Sequence, residues 1–235
     1  MKIALLGYGR MGKEIEKIAL QRGHDIVLKI AEKQAYDITI ADVAIDFSIP
    51  DAAFDNITNC FKNGVPVISG TTGWLDNYGK AVEICNQENG GFIYASNFSL
   101  GVNIFFELNK QLSKMMSAWE DYQISVEEIH HTKKLDAPSG TAITLAEGII
   151  ENTPKTDWQL TSEREPKESA IPIEAKRIPD VPGTHSIHYT SDIDTIEIKH
   201  TAHNRKGFAL GAVIAAEWIV GKRGVYTMKD VLNIG

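Results

Sequence analysis

Apolar positions in the first hundred residues come as short runs separated by segments with helical spacing. Residues 3–6, Ile-Ala-Leu-Leu, form one such run before Gly7. Met11, Ile15, Ile18 and Ala19 then repeat at the spacing of one helix face, and Gly23 stops that helix. Runs at 26–31, 43–47, 65–69 and 92–95 predict four further strands. Between them, Pro50 near a first turn and Gly64 at an end bound a second helix, and a third covers 78–88. Strands alternating with helices at this spacing predict a parallel sheet with helices on both faces.

The pattern changes after Ser99. A long amphipathic helix at 102–117 precedes a strand at 122–130 and another helix at 140–151. Residues 153–183 are rich in Pro, Glu, Lys and Ser and read as a long loop with one strand at 173–177. Alternation predicts two more strands at 185–189 and 195–202, which makes this region α+β with a mixed or antiparallel sheet. A helix of small residues follows at 208–220, ending at Gly221, and is free to return to the first region. Phe105, Phe106, Met115, Met116 and Trp218 read as core or interface positions.

Composition narrows the function classes. The hydrophobic content of 43% and charged content of 23% are those of an ordinary soluble chain. A formal net charge of −7 gives no reason to expect nucleic acid or an anionic membrane. Against that background Lys133, Lys134, Arg205 and Lys206 are local cations suited to an anionic small molecule. Cys60 and Cys85 fall within helical patterns and read as buried free thiols. The apolar run at the start is too short for a signal peptide or a membrane span, so a cytoplasmic location is expected.

Gly7-Tyr8-Gly9-Arg10-Met11-Gly12 matches G-x-G-x-x-G between a predicted strand and a predicted helix, the setting a dinucleotide site requires. Glu32 ends the second strand, where an acid takes ribose hydroxyls. Lys33 follows it and can pair with a 2′-phosphate, so use of both NADH and NADPH is expected. Gly70-Thr71-Thr72-Gly73 and Ala95-Ser96-Asn97-Phe98 each follow a strand directly, at the edge where an open parallel sheet binds its ligand.

The densest chemistry lies at 129–141, IHHTKKLDAPSGT. Ser139 is a natural N-cap, and the backbone N–H groups of Gly140 and Thr141 are left unpaired at the helix start, a site for a carboxylate. His130, His131, Lys133 and Lys134 bring cations and a proton-transfer group to the same segment. Adjacent residues on a strand point to opposite faces, so only one of the two histidines faces a given ligand unless the strand ends there. His200 and His203 would also face opposite sides, and no metal site is expected.

These motifs together resemble the 4-hydroxy-tetrahydrodipicolinate reductase family, also called dihydrodipicolinate reductase, of diaminopimelate and lysine biosynthesis. The carriers are GYGRMG at 7–12, DFS at 46–48, SGTTG at 69–73, NFSLGVN at 97–103 and HHTKKLDAPSGTA at 130–142. The chain departs from the common pattern at Thr132 and Lys133, where many members have Arg and His, and its phosphate loop is one residue shorter than the frequent form.

The resemblance implies a Rossmann-type dinucleotide-binding domain at 1–99 and 206–235, and an α+β substrate-binding and tetramerisation domain at 100–205. It implies that Gly7, Tyr8, Gly9, Arg10, Met11, Gly12, Glu32, Lys33, Gly70, Thr71, Thr72, Ala95, Ser96, Asn97 and Phe98 hold the nicotinamide cofactor. His130 and Lys134 take the catalytic positions. His131, Ser139, Gly140 and Thr141 take substrate-binding positions, with Arg205 on the distal carboxylate. The reaction implied is loss of the 4-hydroxyl as water, hydride addition at carbon 4 of the ring and protonation at carbon 3, with either His130 or Lys134 as the proton source. A dehydrogenase for a sugar or an amino acid, or a nucleotide sensor without turnover, are the competing readings, and a sensor has no need of the proton donors.

Overall fold

The computed structural model describes residues 1–32, 34–162 and 167–234. Two compact units emerge, Met1–Leu100 with Arg205–Gly235, and Gly101–Asn204. In chain order the first unit begins with β1 (Lys2–Leu6), α1 (Arg10–Gln21), β2 (Asp25–Ile30), β3 (Val43–Asp46), α2 (Pro50–Lys62), β4 (Val67–Ser69), α3 (Tyr78–Gln87) and β5 (Gly91–Tyr94). The chain then runs through α4 (Leu100–Met116), β6 (Gln123–His130), α5 (Gly140–Ile150), β7 (Asp157–Leu160), β8 (Ala170–Arg177), β9 (Gly183–Thr190) and β10 (Thr195–Ala202). It returns to the first unit with α6 (Lys206–Ile219), β11 (Gly224–Tyr226) and α7 (Met228–Leu232).

The first unit is a six-stranded parallel sheet in the order β11-β5-β4-β3-β1-β2. Its strands are short apolar runs because both faces are buried. Ile3 and Leu5 pack with Ile15 of α1 and Ala212, Val213 and Ala216 of α6. Ala4 and Leu6 point the other way, to Ile57 and Phe61 of α2 and Ala81 of α3. Alternate side chains of β1 thus serve two cores, as the period of a strand dictates. Each large aliphatic side chain so buried contributes roughly 1.5–3 kcal/mol. Cys60 and Cys85 are free and buried, as their setting in helical patterns leads one to expect.

The small residues of α6 let it lie close to the backbone. A side chain on Gly211 would overlap the carbonyl oxygen of Phe98. Glu217 near the end of α6 accepts two hydrogen bonds from Arg22 at 2.7 Å and one contact from His24 at 2.7 Å, tying α6 to the end of α1. Neither β11 nor α7 is legible in the sequence pattern. β11 is only three residues long, and its edge position beside β5 exists only once the chain has returned.

The second unit is a five-stranded mixed sheet in the order β10-β9-β6-β8-β7, with β6, β7 and β8 parallel and β9 and β10 antiparallel. Phe105, Leu112 and Met116 of α4 and Leu145 and Ile149 of α5 pack on one face, against Val126, Ile173, Ile187 and Tyr189. Asn109 of α4 donates to the Leu145 carbonyl at 2.9 Å, joining the two helices over the sheet. Met115, by contrast, is 63% exposed. The stretch 153–183 is not a single loop with one strand. It forms β7 as well as β8, and β8 starts at Ala170, earlier than the predicted 173. Asp157 and Gln159 hide β7, and Pro172 hides the start of β8, from a reading based on alternation.

Candidate active site

A cavity of about 590 Å³ opens at the carboxyl ends of β1, β2 and β3 in the first unit. Each glycine of the 7–12 segment has its own reason there. Gly7 has φ +98°, and a Cβ on it would overlap the Phe47 carbonyl. Gly9 precedes α1 with open space where its Cβ would be, so a ligand can approach the backbone. Gly12 lies against the Gly7 carbonyl oxygen, which lets helix and loop pack closely. Those are the three roles that a pyrophosphate site assigns to its glycines. Arg10 and Met11 occupy the first turn of α1, and Met11 packs against the core. The Tyr8 hydroxyl is hydrogen-bonded to Glu16, which also pairs with Lys29.

Glu32, Asp51 and Asp55 line the same cavity, and no lysine or arginine does so among the described residues. Lys33, the cation expected to meet a 2′-phosphate, lies outside the described residues.

Buried Asp46 joins the loops along the strand ends. Its carboxylate accepts from Ser48 Oγ at 2.7 Å, Ser69 Oγ at 2.8 Å, Thr71 Oγ1 at 2.7 Å and Asn56 Nδ2 at 3.2 Å. Burial pushes this carboxyl above its ordinary range, and the four donors pull against that shift. Gly70 is packed under the Phe47 ring, leaving no room for a Cβ, while Thr72 is exposed. After β5, Ala95 and Phe98 pack into the core, Ser96 is exposed, and Asn97 Oδ1 accepts from Ser99 N–H at 2.9 Å.

In the second unit, one row of β6 changes character along its length. Ile124 and Val126 face Tyr189 and Ile187 of β9, and Glu128 then faces His185 in the same register. His130 is two residues further on and so shares that face. His131 lies past the strand end, half-buried, with its carbonyl accepting Lys134 N–H at 3.1 Å in a turn. The strand end therefore puts the two histidines in different settings.

Glu128 is fully buried and surrounded by donors. Its Oε2 accepts the Ser139 N–H at 2.9 Å, and its Oε1 accepts from Arg177 Nη2 at 3.1 Å. His185 Nε2 and His130 Nδ1 stand 3.8 and 3.7 Å from Oε2. Burial alone would raise this carboxyl, but attraction to His185 and the hydrogen bonds from Ser139 outweigh it and hold it at about 2. Burial lowers His130 to about 4, the pull of Glu128 being countered by His185, Lys134 and Arg177. The His130 ring is therefore neutral at pH 7, and its buried Nδ1 has no hydrogen-bond partner among the described residues.

Lys134 Nζ donates to both carboxylate oxygens of Asp136, at 2.9 and 2.7 Å, and the ammonium draws Asp136 below the usual carboxylate range. The Asp136 carbonyl accepts from Arg177 at 2.7 Å. Ser139 is the N-cap of α5, with its Oγ accepting Ala142 N–H at 3.2 Å and lying 3.1 Å from His185 Nε2. Gly140 has open space at its missing Cβ, and at the first turn of a helix its N–H and that of Thr141 find no partner within the helix. The segment 130–141 thus carries a neutral imidazole, a lysine paired with an aspartate, and two helix-start N–H groups. Arg205 is the N-cap residue of α6, in the first unit.

Glu128, Arg177 and His185 escape a sequence reading of motifs. Glu128 had one signal, an acid on the same strand face as His130, but nothing local marks its partners on β8 and β9. Ligand atoms of Glu128, His130 and His185 lie within 4.8 Å of one another, close enough to hold a metal ion. The carboxylate, however, is already bonded to a guanidinium and a backbone N–H, which favours a hydrogen-bonded acid–base cluster. His200 packs beside the Phe105 ring, 5.9 Å between centroids.

Comparison with known proteins matches residues 29–98 to the model of the dihydrodipicolinate reductase N-terminus and 101–232 to that of its C-terminus. A 4-hydroxy-tetrahydrodipicolinate reductase of Christiangramia forsetii is 60% identical over 237 residues, covering 99% of this chain and 98% of that protein. One from Methanococcoides burtonii is 36% identical, with 96% of each chain covered. Among solved structures, the dipicolinate-bound dihydrodipicolinate reductase from Paenisporosarcina sp. TG-14 shares the fold with a TM-score of 0.76, 22% identity and 97% of each chain covered.

Proposed function

The chain belongs to the dihydrodipicolinate reductase family, and on that premise we propose how its residues divide the reaction. It is an oxidoreductase that reduces 4-hydroxy-tetrahydrodipicolinate, with loss of water, in diaminopimelate and lysine biosynthesis. The observation that carries the residue assignments is the meeting of His130 and the Ser139 N-cap at the Glu128 carboxylate, with the Lys134 charge acting on the His130 ring.

The substrate is a dicarboxylate. One carboxylate is taken by the N–H groups of Gly140 and Thr141 with the Ser139 hydroxyl, as helix N-termini favour anions. His131 flanks this carboxylate, and Arg205 is the candidate for the second one, for which a guanidinium's paired donors are suited. Lys134, paired with Asp136, is the proton source for carbon 3. His130, neutral in the resting protein, accepts the proton that carbon 3 gives up when the 4-hydroxyl leaves as water. When bound, the nicotinamide cofactor supplies the hydride.

The segments at 7–12, 70–72 and 95–98, with Glu32, hold that cofactor. Both NADH and NADPH are used, and the three carboxylates lining the cavity favour NADH, because a 2′-phosphate would be brought among like charges. We assign the second unit the tetramer contacts: the sheet face away from α4 and α5 carries Glu127, Glu174, Lys176, Glu197 and Lys199, and β10 leaves an open edge. Two free thiols fit a reducing cytoplasm.

The test is turnover of enzymatically generated substrate by the purified protein, with each cofactor in turn. Substrate-dependent oxidation of both, with the higher kcat/KM for NADH, is expected. Oxidation of neither would overturn the activity, and a higher kcat/KM for NADPH would overturn the cofactor preference.

A further inference from the structure

We propose that Glu128 is the positioning residue of the substrate site, one carboxylate that holds the Ser139 turn and the Arg177 guanidinium and stands beside His130 as the anion that partners this ring when it is protonated. This rests on reading the 130–141 face as the substrate site.

Among the described residues, Glu128 reaches every element that meets there. From β6 it reaches Ser139 N–H, the N-cap of α5, at 2.9 Å. It reaches Arg177 at the end of β8 at 3.1 Å, and Arg177 in turn holds the Asp136 carbonyl at 2.7 Å. Across the ladder, His185 of β9 stands 3.8 Å from Oε2 and also touches Ser139 Oγ at 3.1 Å. The loop from His130 to Ser139 is therefore pinned from both sides. Arg177 fixes its middle at Asp136, next to the ion pair of Lys134, and Glu128 fixes its end. Without the carboxylate, the Ser139 N–H would be a buried donor with no acceptor, and the Gly140 and Thr141 amides would lose their fixed direction.

The same carboxylate sets the charge that His130 meets. The ionisable groups around that ring are Glu128 on its own strand, His185 on β9, Arg177 on β8, and Lys134 in the following turn. Of these groups Glu128 is the negative one, and its Oε2 is 3.7 Å from an Nδ1 that has no hydrogen-bond partner among the described residues. An unpartnered ring nitrogen beside a carboxylate is poised to form an ion pair as soon as the ring takes a proton. The carboxylate thereby stabilises the form of His130 that arises during turnover, without touching the substrate.

Two variants separate this role from simple stabilisation. Glu128→Gln removes the anion while keeping its shape, and Arg177→Met removes the cation that offsets it. The His130 ring titration, followed by NMR, is expected to move to lower pH in Glu128→Gln and to higher pH in Arg177→Met. For Glu128→Gln, kcat/KM for substrate should fall about 100-fold, with the dissociation constant for NADH changed less than twofold. That constant reports the first unit, and a urea unfolding transition of the second unit with the wild-type midpoint is the control for its folding. Shifts in the same direction, or no shift in either, would overturn the proposal. So would a substrate kcat/KM within threefold of wild type. If Glu128→Gln does not fold, an unmoved or lowered His130 titration in Arg177→Met overturns it alone. A wild-type protein that fails to turn over substrate contradicts the activity instead, and the opposed titrations still report on Glu128.

Discussion

Thr71 joins two loops through one hydroxyl: it donates to Asp46 Oδ2 at 2.7 Å and accepts the Ser48 N–H at 2.9 Å. Asp46 ends β3 and Thr71 follows β4, so the hydroxyl fixes the loops after two adjacent strands against each other. Thr71→Val keeps the shape and removes both bonds, leaving Ser48 N–H without its acceptor. A lost buried bond with an unsatisfied partner costs about 1–3 kcal/mol. The dissociation constant for NADH, measured by fluorescence titration, should rise about tenfold or more. An unchanged constant would show that the loops do not need this tie.

Gly211 and Phe98 test the role of the returning helix. A methyl group at 211 would enter the space of the Phe98 carbonyl, which is backbone and cannot rotate away. Overpacking of this kind costs typically about 1–3 kcal/mol and more where backbone must move. Gly211→Ala is therefore expected to lower the unfolding midpoint of the first unit in urea and to weaken NADH binding through the 95–98 segment. A midpoint equal to wild type would contradict the close approach of α6.

Stability should fall in acid for two reasons with the same sign. His130 is lowered from an ordinary 6.5 to about 4 in the folded chain, so its contribution is present above about 6.5 and is lost as pH falls towards 4. Glu128 is lowered from 4.5 to about 2, so its contribution is present above about 4.5 and is lost as pH falls through 2. Unfolding followed between pH 7 and 4.5 should show wild type losing on the order of 1–3 kcal/mol that His130→Gln does not lose. Parallel curves for the two proteins would contradict the buried neutral ring.

Much of this architecture is legible in the chain because it depends on local periodicity. The run at 3–6 and the spacing of Met11, Ile15, Ile18 and Ala19 specify strand and helix without outside help. Ser139 likewise announces the start of α5 by its own side chain. What the sequence conceals is contact made at a distance. Asp157–Leu160 becomes a strand only because β8 is beside it, and Gly224–Tyr226 only because β5 offers an edge. Glu128, Arg177 and His185 are separated by tens of residues and meet only when β6, β8 and β9 are in register. The pairing of Lys134 with Asp136 is close in sequence, yet two residues of separation in a turn carry no periodic signal.

The central claim is that the 130–141 face supplies the proton and the substrate carboxylate site, independently of cofactor binding. Lys134→Ala tests it most directly, with kcat on generated substrate and the NADH dissociation constant measured on the same preparation. Loss of a positioned general acid typically costs about 10²–10⁴ in rate. A fall of at least about 100-fold in kcat is expected, with NADH affinity within about twofold of wild type. A kcat close to wild type, or equal losses in turnover and NADH affinity, would contradict it.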